Sequence, residues 1–274
     1  MKSTLLLIVT GLLLPVGYSF AQLTAKTANN AFLITRMAEI YHVQPRPVDR
    51  DFSSDLFTLT IRALDADKIY FSREELLQLE PYRFSLDREL MDKKDDFLKL
   101  LISLFDRRIH QTDSLLDLFS VKVVPLISGD TYTVAEDTVF AASAALRTAK
   151  LYKLFRRNVL ENIAGANDSV AVPLRTDSLE IAARKKTTHA FKRSIQRILQ
   201  SNDGLPGFVC NAWCESVASC FDPHTEFFSL AKKEEFQGEL GDKQMQFGFS
   251  LSEGREGTEI ARLKPGSPAY RSGQ

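Results

Sequence analysis

Phe221-Asp222-Pro223-His224-Thr225-Glu226-Phe227-Phe228-Ser229 closes a helical region and precedes a stretch of different character. Asp222-Pro223 makes a good turn, because the residue before a proline is driven out of the helical region. Farther on, Phe247-Gly248-Phe249-Ser250-Leu251 and Thr258-Glu259-Ile260-Ala261-Arg262-Leu263 read as a glycine-punctuated pair of strands. Pro265-Gly266-Ser267-Pro268-Ala269 then opens a helix. Ser267 suits the N-cap, and Pro268 the first helical position, where its fixed φ fits and its missing N–H is not needed. The sequence stops shortly afterwards at Gln274. The expectation is a β-rich domain begun and cut off, in a fragment of something longer.

Working back towards the N-terminus, the apolar period is helical from about residue 25 to 240. Phe52, Leu56, Leu59 and Ala63 make one stripe, widened by Leu64. Leu64-Asp65-Ala66-Asp67-Lys68-Ile69-Tyr70-Phe71 breaks it, and Ser72 with Glu75 forms a capping box that opens a short helix. A long helix is expected from Leu86 to Phe119, with Phe97, Leu101, Leu104, Phe105, Ile109, Leu116 and Phe119 on one face. Its other face carries Lys93, Lys94, Asp95, Asp96, Arg107 and Arg108, a solvated pattern. Residues 121–137 read as a loop, with Pro125, Gly129 and Asp130 as breakers. Helix returns from Phe140 to Ile163, breaks at Gly165, Asn167, Asp168 and Pro173, and resumes from Asp177 to Leu199. Ser201-Asn202-Asp203-Gly204 stops that helix, and one more runs to Cys220. The fold class is therefore mainly α, a multi-helix domain over 22–240 followed by a truncated β-rich domain over 241–274.

The first 21 residues read as a targeting segment. Lys2 supplies the positive end, Leu5 to Leu14 the apolar core, and Ser19-Phe20-Ala21 a small-x-small cleavage site. That apolar run is too short to span a bilayer, and no cysteine near the site offers a lipid anchor. Export is expected, to the periplasm. Lys+Arg and Asp+Glu both total 35, so no global field attracts nucleic acid or an anionic membrane. The basic run Arg184-Lys185-Lys186 with Lys192-Arg193 reads as a solvated face.

Reactive chemistry is sparse. Cys210, Cys214 and Cys220 form an odd set, which argues against a disulfide framework. A zinc site would need a fourth ligand, for which His224 is the only nearby candidate; buried thiols acting as small hydrophobes are the favoured reading, and no metal is expected. His224 has no acid, nucleophile or orienting partner beside it in sequence, and reads as structural, locking its turn. There is no phosphate loop, His-x-x-x-His pair or Gly-x-Ser-x-Gly elbow. No cofactor is expected.

These segments, in this order, resemble the tail-specific, or C-terminal-processing, serine proteases of the bacterial periplasm. Leu64-Asp65-Ala66-Asp67-Lys68-Ile69-Tyr70-Phe71 is similar to that family's LDP-x-K-x-YF segment, and Leu86-Asp87-Arg88-Glu89-Leu90 follows it. Leu151-Tyr152-Lys153-Leu154-Phe155-Arg156-Arg157 sits where the family has a Trp-Arg helix, although the tryptophan is missing. Asp222-Pro223-His224-Thr225 with Phe228-Ser229 is the most specific signature, and residues 247–273 resemble the start of a PDZ domain.

The resemblance implies a serine nucleophile and a lysine base in a domain after the PDZ module, so no catalytic residue is assigned here. It implies protein or peptide C-termini as partners, with an adaptor protein as a further candidate. Peptide-binding residues would be Phe247, Gly248, Phe249, Ser250 and Leu251: the N–H groups of Gly248 and Phe249 take the carboxylate, and the peptide adds beside the following strand. Lys243 lies near a position that is basic in many PDZ loops. Because the groove is unfinished, the chain alone is expected to have no protease activity and to bind C-terminal peptides poorly or not at all. Two other readings stand beside this one, a non-enzymatic periplasmic binding module and an all-helical structural protein with a frayed tail.

Overall fold

The computed structural model describes residues 15–125, 139–167, 176–229, 233, 247–253 and 258–272. They fall into two units, one reaching Phe227 and one starting at Phe228.

The first unit is helical. Its elements are α1 (Pro15–Tyr41), α2 (Arg50–Leu64), α3 (Arg73–Leu79), a 3₁₀ turn (Glu80–Tyr82), α4 (Leu86–Met91), α5 (Asp96–Val121), α6 (Ala144–Asn167), α7 (Thr176–Leu199) and α8 (Gly204–Ser219). Helix α8 is the hub. Leu205, Val209, Cys210, Trp213, Cys214 and Val217 are all buried, because α1, α2, α5 and α7 pack around it. A short helix apolar on most of its circumference has to be enclosed in this way. Gly207 lets its first turn sit close to the preceding chain: a Cβ there would lie 2.1 Å from the Asn202 carbonyl oxygen.

Helix α1 meets the hub with small side chains. Thr24, Thr27, Ala28, Ala31, Thr35 and Ala38 are its buried residues, and the hydroxyls of Thr27 and Thr35 donate back to Leu23 and Ala31 carbonyls. The helix runs through the expected processing site at Ser19-Phe20-Ala21. The targeting core Leu5–Leu14 and Lys2 lie outside the described residues.

Helix α5 carries the expected apolar face, with Phe97, Leu101, Leu104, Phe105, Ile109, Leu116 and Phe119 all buried. It does not, however, continue from Leu86. The chain breaks at Lys93, whose φ of 56° is left-handed, and α5 restarts at Asp96. Glu89 makes the break stable by accepting a hydrogen bond from Phe97 N (2.6 Å), an otherwise orphaned donor of the new first turn. The α2 stripe is also rotated from expectation: Ala63 is exposed, Leu59 half-buried, and Phe57 and Ile61 take the inward positions.

Phe140 and Ala141 are extended rather than helical, and Ala141 O accepts from Arg73 N (2.8 Å) in a parallel bridge with Ser72. Helix α6 begins at Ala144 and passes through Gly165 to Asn167, so Gly165 is no breaker. Beyond residue 125, the expected loop over 121–137 lies outside the described residues, as do Asp168 and Pro173. An aromatic row of Tyr152, Phe119, Phe155 and Phe191 joins α5, α6 and α7, with ring centroids 5.0–6.1 Å apart.

The second unit contains β1 (Phe249–Glu253), β2 (Thr258–Leu263) and α9 (Pro268–Ser272). The strands are antiparallel, with Phe249 opposite Leu263 and Leu251 opposite Ile260. Between these pairs Ala261 is an extra residue, a β-bulge. The bulge re-phases β2 so that Ile260 and Leu263, although three apart, share the face of Phe249 and Leu251. The element types expected for residues 247–272 are thus present, as a two-stranded sheet and a short helix.

Candidate functional site

The sequence singles out Phe247, Gly248, Phe249, Ser250 and Leu251, which form one side of the hairpin and its approach. Gly248 has φ +82°, a conformation L side chains rarely adopt. A Cβ at this position would also sit 1.9 Å from the Ser267 Cβ, so glycine is required by packing as well as by the turn. Three bonds fix the loop: Gly248 O accepts from Lys264 N (2.7 Å) and Ser267 Oγ (3.1 Å), and Phe247 O accepts from Ala269 N (2.9 Å). Ser267 meanwhile caps α9 through Tyr270 N (3.2 Å), as its place before Pro268 predicts. One buried serine therefore ties the loop to the helix.

The side chains around this loop face outward. Phe247 and Phe249 stack at 6.0 Å, and Phe249, Leu251, Ile260 and Leu263 are between 37 and 60% exposed. Ser250 is exposed and Gly248 is buried. Lys243 lies outside the described residues.

In the helical unit, the segment resembling the family's LDP-x-K-x-YF has a clear architectural role. Asp65 is buried, and its carboxylate accepts from Ile69 N (2.8 Å), Tyr70 N (3.0 Å) and Phe71 N (2.8 Å). Lys68 turns the loop with a φ of 55°. Burial pushes the Asp65 carboxyl up to about 6, although the three N–H groups and Lys150 pull it down. Next to it the capping box is present as expected: Glu75 Oε2 accepts from Ser72 N (2.9 Å) and Ser72 Oγ (3.0 Å). The other Glu75 oxygen pairs with Arg108 Nε, a contact no local pattern announces.

Arg147 crosses the same region, buried, donating to Ile69 O, Thr112 Oγ1 and Gln111 Oε1 at 3.3–3.4 Å. Burial and the nearby Arg108 charge lower its pKa, while Glu75 and Asp65 oppose them. An open groove of about 910 Å³ runs beside α5 and α6, with Arg107, Arg108, His110 and Arg147 among its lining residues. Across the unit, Glu180 and Arg184 of α7 clamp the end of α5: Glu180 accepts from Val124 N (2.9 Å), and Arg184 donates to Ser120 O.

None of these groups is arranged for nucleophilic chemistry. The thiols of Cys210, Cys214 and Cys220 are buried, and burial pushes them up to about 11, 12 and 12. Such thiols are inert packing groups. Among the described residues, no group of His, Cys, Asp and Glu could hold a metal. His224 is exposed, and the turn expected to depend on it is closed by Thr225 N donating to Asp222 O (3.0 Å). Glu215 of α8 secures the outgoing chain by accepting from Phe227 N (3.1 Å).

Compared with known families, residues 34–231 match the tail specific protease N-terminal domain. The matched region contains α2 to α8 and the Asp222-Pro223 turn, whereas the hairpin lies beyond it. No curated protein matches the chain.

Proposed function

The chain belongs to the family of tail specific protease N-terminal domains, and on that footing we propose that it supplies the scaffold and part of the substrate-recognition surface of an exported serine endopeptidase. That enzyme cleaves proteins marked by their C-termini. The family match over 34–231 carries this reading. The helical unit is the rigid support, held by the hub helix and by the Asp65, Glu75 and Glu180 clamps.

Recognition falls to the Phe247-Gly248-Phe249 loop. Its left-handed glycine, which lets backbone approach a carboxylate closely, and the strand that follows support this reading. In this reading the part played by these residues is recognition. Export is supported by Lys2, the Leu5–Leu14 run and Ser19-Phe20-Ala21. Among the described residues no helix is long and apolar enough to cross a membrane.

The test is amide-resolved NMR of the chain with a short peptide ending in an apolar residue. Weak, millimolar-range shifts at the Gly248 and Phe249 amides are expected with the free carboxylate and not with the amidated peptide. The peptide should remain uncleaved. Shifts that ignore amidation, or that avoid residues 247–251, would refute the recognition role.

A further inference from the structure

The groove beside α5 and α6 holds a buried cation that has no anion. Arg147 is 2% exposed, and its acceptors are a carbonyl, a hydroxyl and an amide oxygen at 3.3–3.4 Å, long for N–H donors. Its Nε has no partner. Asp65 and Glu75 are near enough to be felt but form no ion pair with it: Asp65 is taken up by three backbone N–H groups and Glu75 by Arg108. A buried charge left in this condition is costly and calls for a counter-charge. Arg107 is exposed in the same groove and makes no ion pair either, among the described residues. Asp106, beside His110 at 3.6 Å, is the sole acidic lining residue among those described, so positive charge is in surplus.

The groove is also long. Ser103, Arg107, His110, Ser114 and Leu118 recur on α5 at spacings of three or four, so they share one side of the helix over about 22 Å. A small oxyanion would meet the arginines but leave Leu115 and Leu118 uncovered, and Leu118 is 63% exposed. Arg107 and Leu118 lie about 16 Å apart along the helix axis, a distance that an extended chain crosses in about five residues. We propose that this groove docks an extended acidic peptide segment of another protein. Its carboxylates lie at Arg107 and Arg147, and its apolar side chains, about five residues away, lie at Leu115 and Leu118. The site belongs to the helical unit, so its test is independent of the hairpin loop.

The probe is the fluorescein-labelled peptide Glu-Glu-Ser-Gly-Ser-Leu-Leu, amidated so that it has no terminal carboxylate. Fluorescence anisotropy with the full chain at about 50 mM salt should give a Kd of about 10–100 µM, weakened several-fold at about 200 mM. Arg107→Glu should weaken binding at least tenfold, and Leu118→Ser about threefold. Arg62→Glu, an exposed position on α2 outside the groove, should leave it unchanged. Glutamine in place of both peptide glutamates should abolish binding. No binding up to about 1 mM overturns the proposal. So does equal weakening by Arg62→Glu, or displacement by inorganic phosphate as effective as by unlabelled peptide, which would mark a simple anion site.

Discussion

Replacing Asp65 by asparagine tests whether a buried carboxylate, held by three backbone N–H groups, sets the pH response of the helical unit. In the folded chain burial raises this carboxyl from 3.8 to about 6. An acid whose folded value lies above its unfolded value favours folding when protonated. Its stabilisation is complete below about 3.8 and is lost as the pH rises through about 6. At about 1.4 kcal/mol per pH unit, the full loss is about 3 kcal/mol. Roughly 2 kcal/mol of it falls between about pH 4.5 and about pH 7.5. Asparagine keeps one acceptor for the Ile69, Tyr70 and Phe71 N–H groups but does not titrate. Urea unfolding followed by circular dichroism across that range should therefore show a wild-type-minus-variant difference that grows more unfavourable to wild type as the pH rises. Subtracting the variant removes the contribution of Glu89, which burial also raises, and of Asp95, which lies below its ordinary value through its bonds to Lys99 and Thr24 despite an opposing desolvation effect. A difference that stays constant with pH to within about 0.5 kcal/mol would refute the linkage argument.

Gly248→Ala should unfold the hairpin, since the added Cβ meets Ser267 and the φ is left-handed; loss of dispersed amide signals for residues 247–263, with the helical unit intact, would show it. Glu75→Ala leaves Arg108 uncompensated, removes two bonds to Ser72 and should cost about 3–5 kcal/mol in denaturant unfolding; a loss below about 1 kcal/mol would contradict the buried pair. Phe155→Ala empties the centre of the aromatic row between α5, α6 and α7 and should cost about 3–5 kcal/mol by the same measurement. A thiol reagent at neutral pH should modify none of Cys210, Cys214 and Cys220 until the chain is denatured, and then all of them; rapid reaction of the native protein would show that α8 is accessible.

What the sequence makes legible here is local. The α5 stripe, the Ser72–Glu75 box and the Ser267 cap are all correct because each depends on spacings of a few residues, where helix geometry alone decides. Contacts across the chain are hidden. Arg147, of a residue type that is normally exposed, is buried against Ile69 O and Thr112 from elements far away in sequence. The Leu86–Phe119 helix reads as continuous because Lys93 and Lys94 fit a polar face, and only the reach of Glu89 back to Phe97 N makes the break stable. The rotation of the α2 stripe follows from packing against α4 and α8, which no period contains. At the candidate site, the apolar-Gly-apolar triplet is visible, but the bulge at Ala261 that brings Ile260 and Leu263 onto one face is not. The small-residue face of α1 was equally open to inspection, although an amphipathic reading looks for large residues inside and so misses it.

The hub helix also governs the order in which the molecule can be completed. Helices α1 and α2 are made first, but the surface that covers them belongs to α8, roughly 170 residues later at a synthesis rate of about 5–20 residues per second. Until α8 is made, about ten to thirty seconds later, α1 and α2 can pack on α4 but not on the hub that covers the larger part of their inner faces. The helical unit therefore cannot close around its own N-terminus until its last helix has arrived.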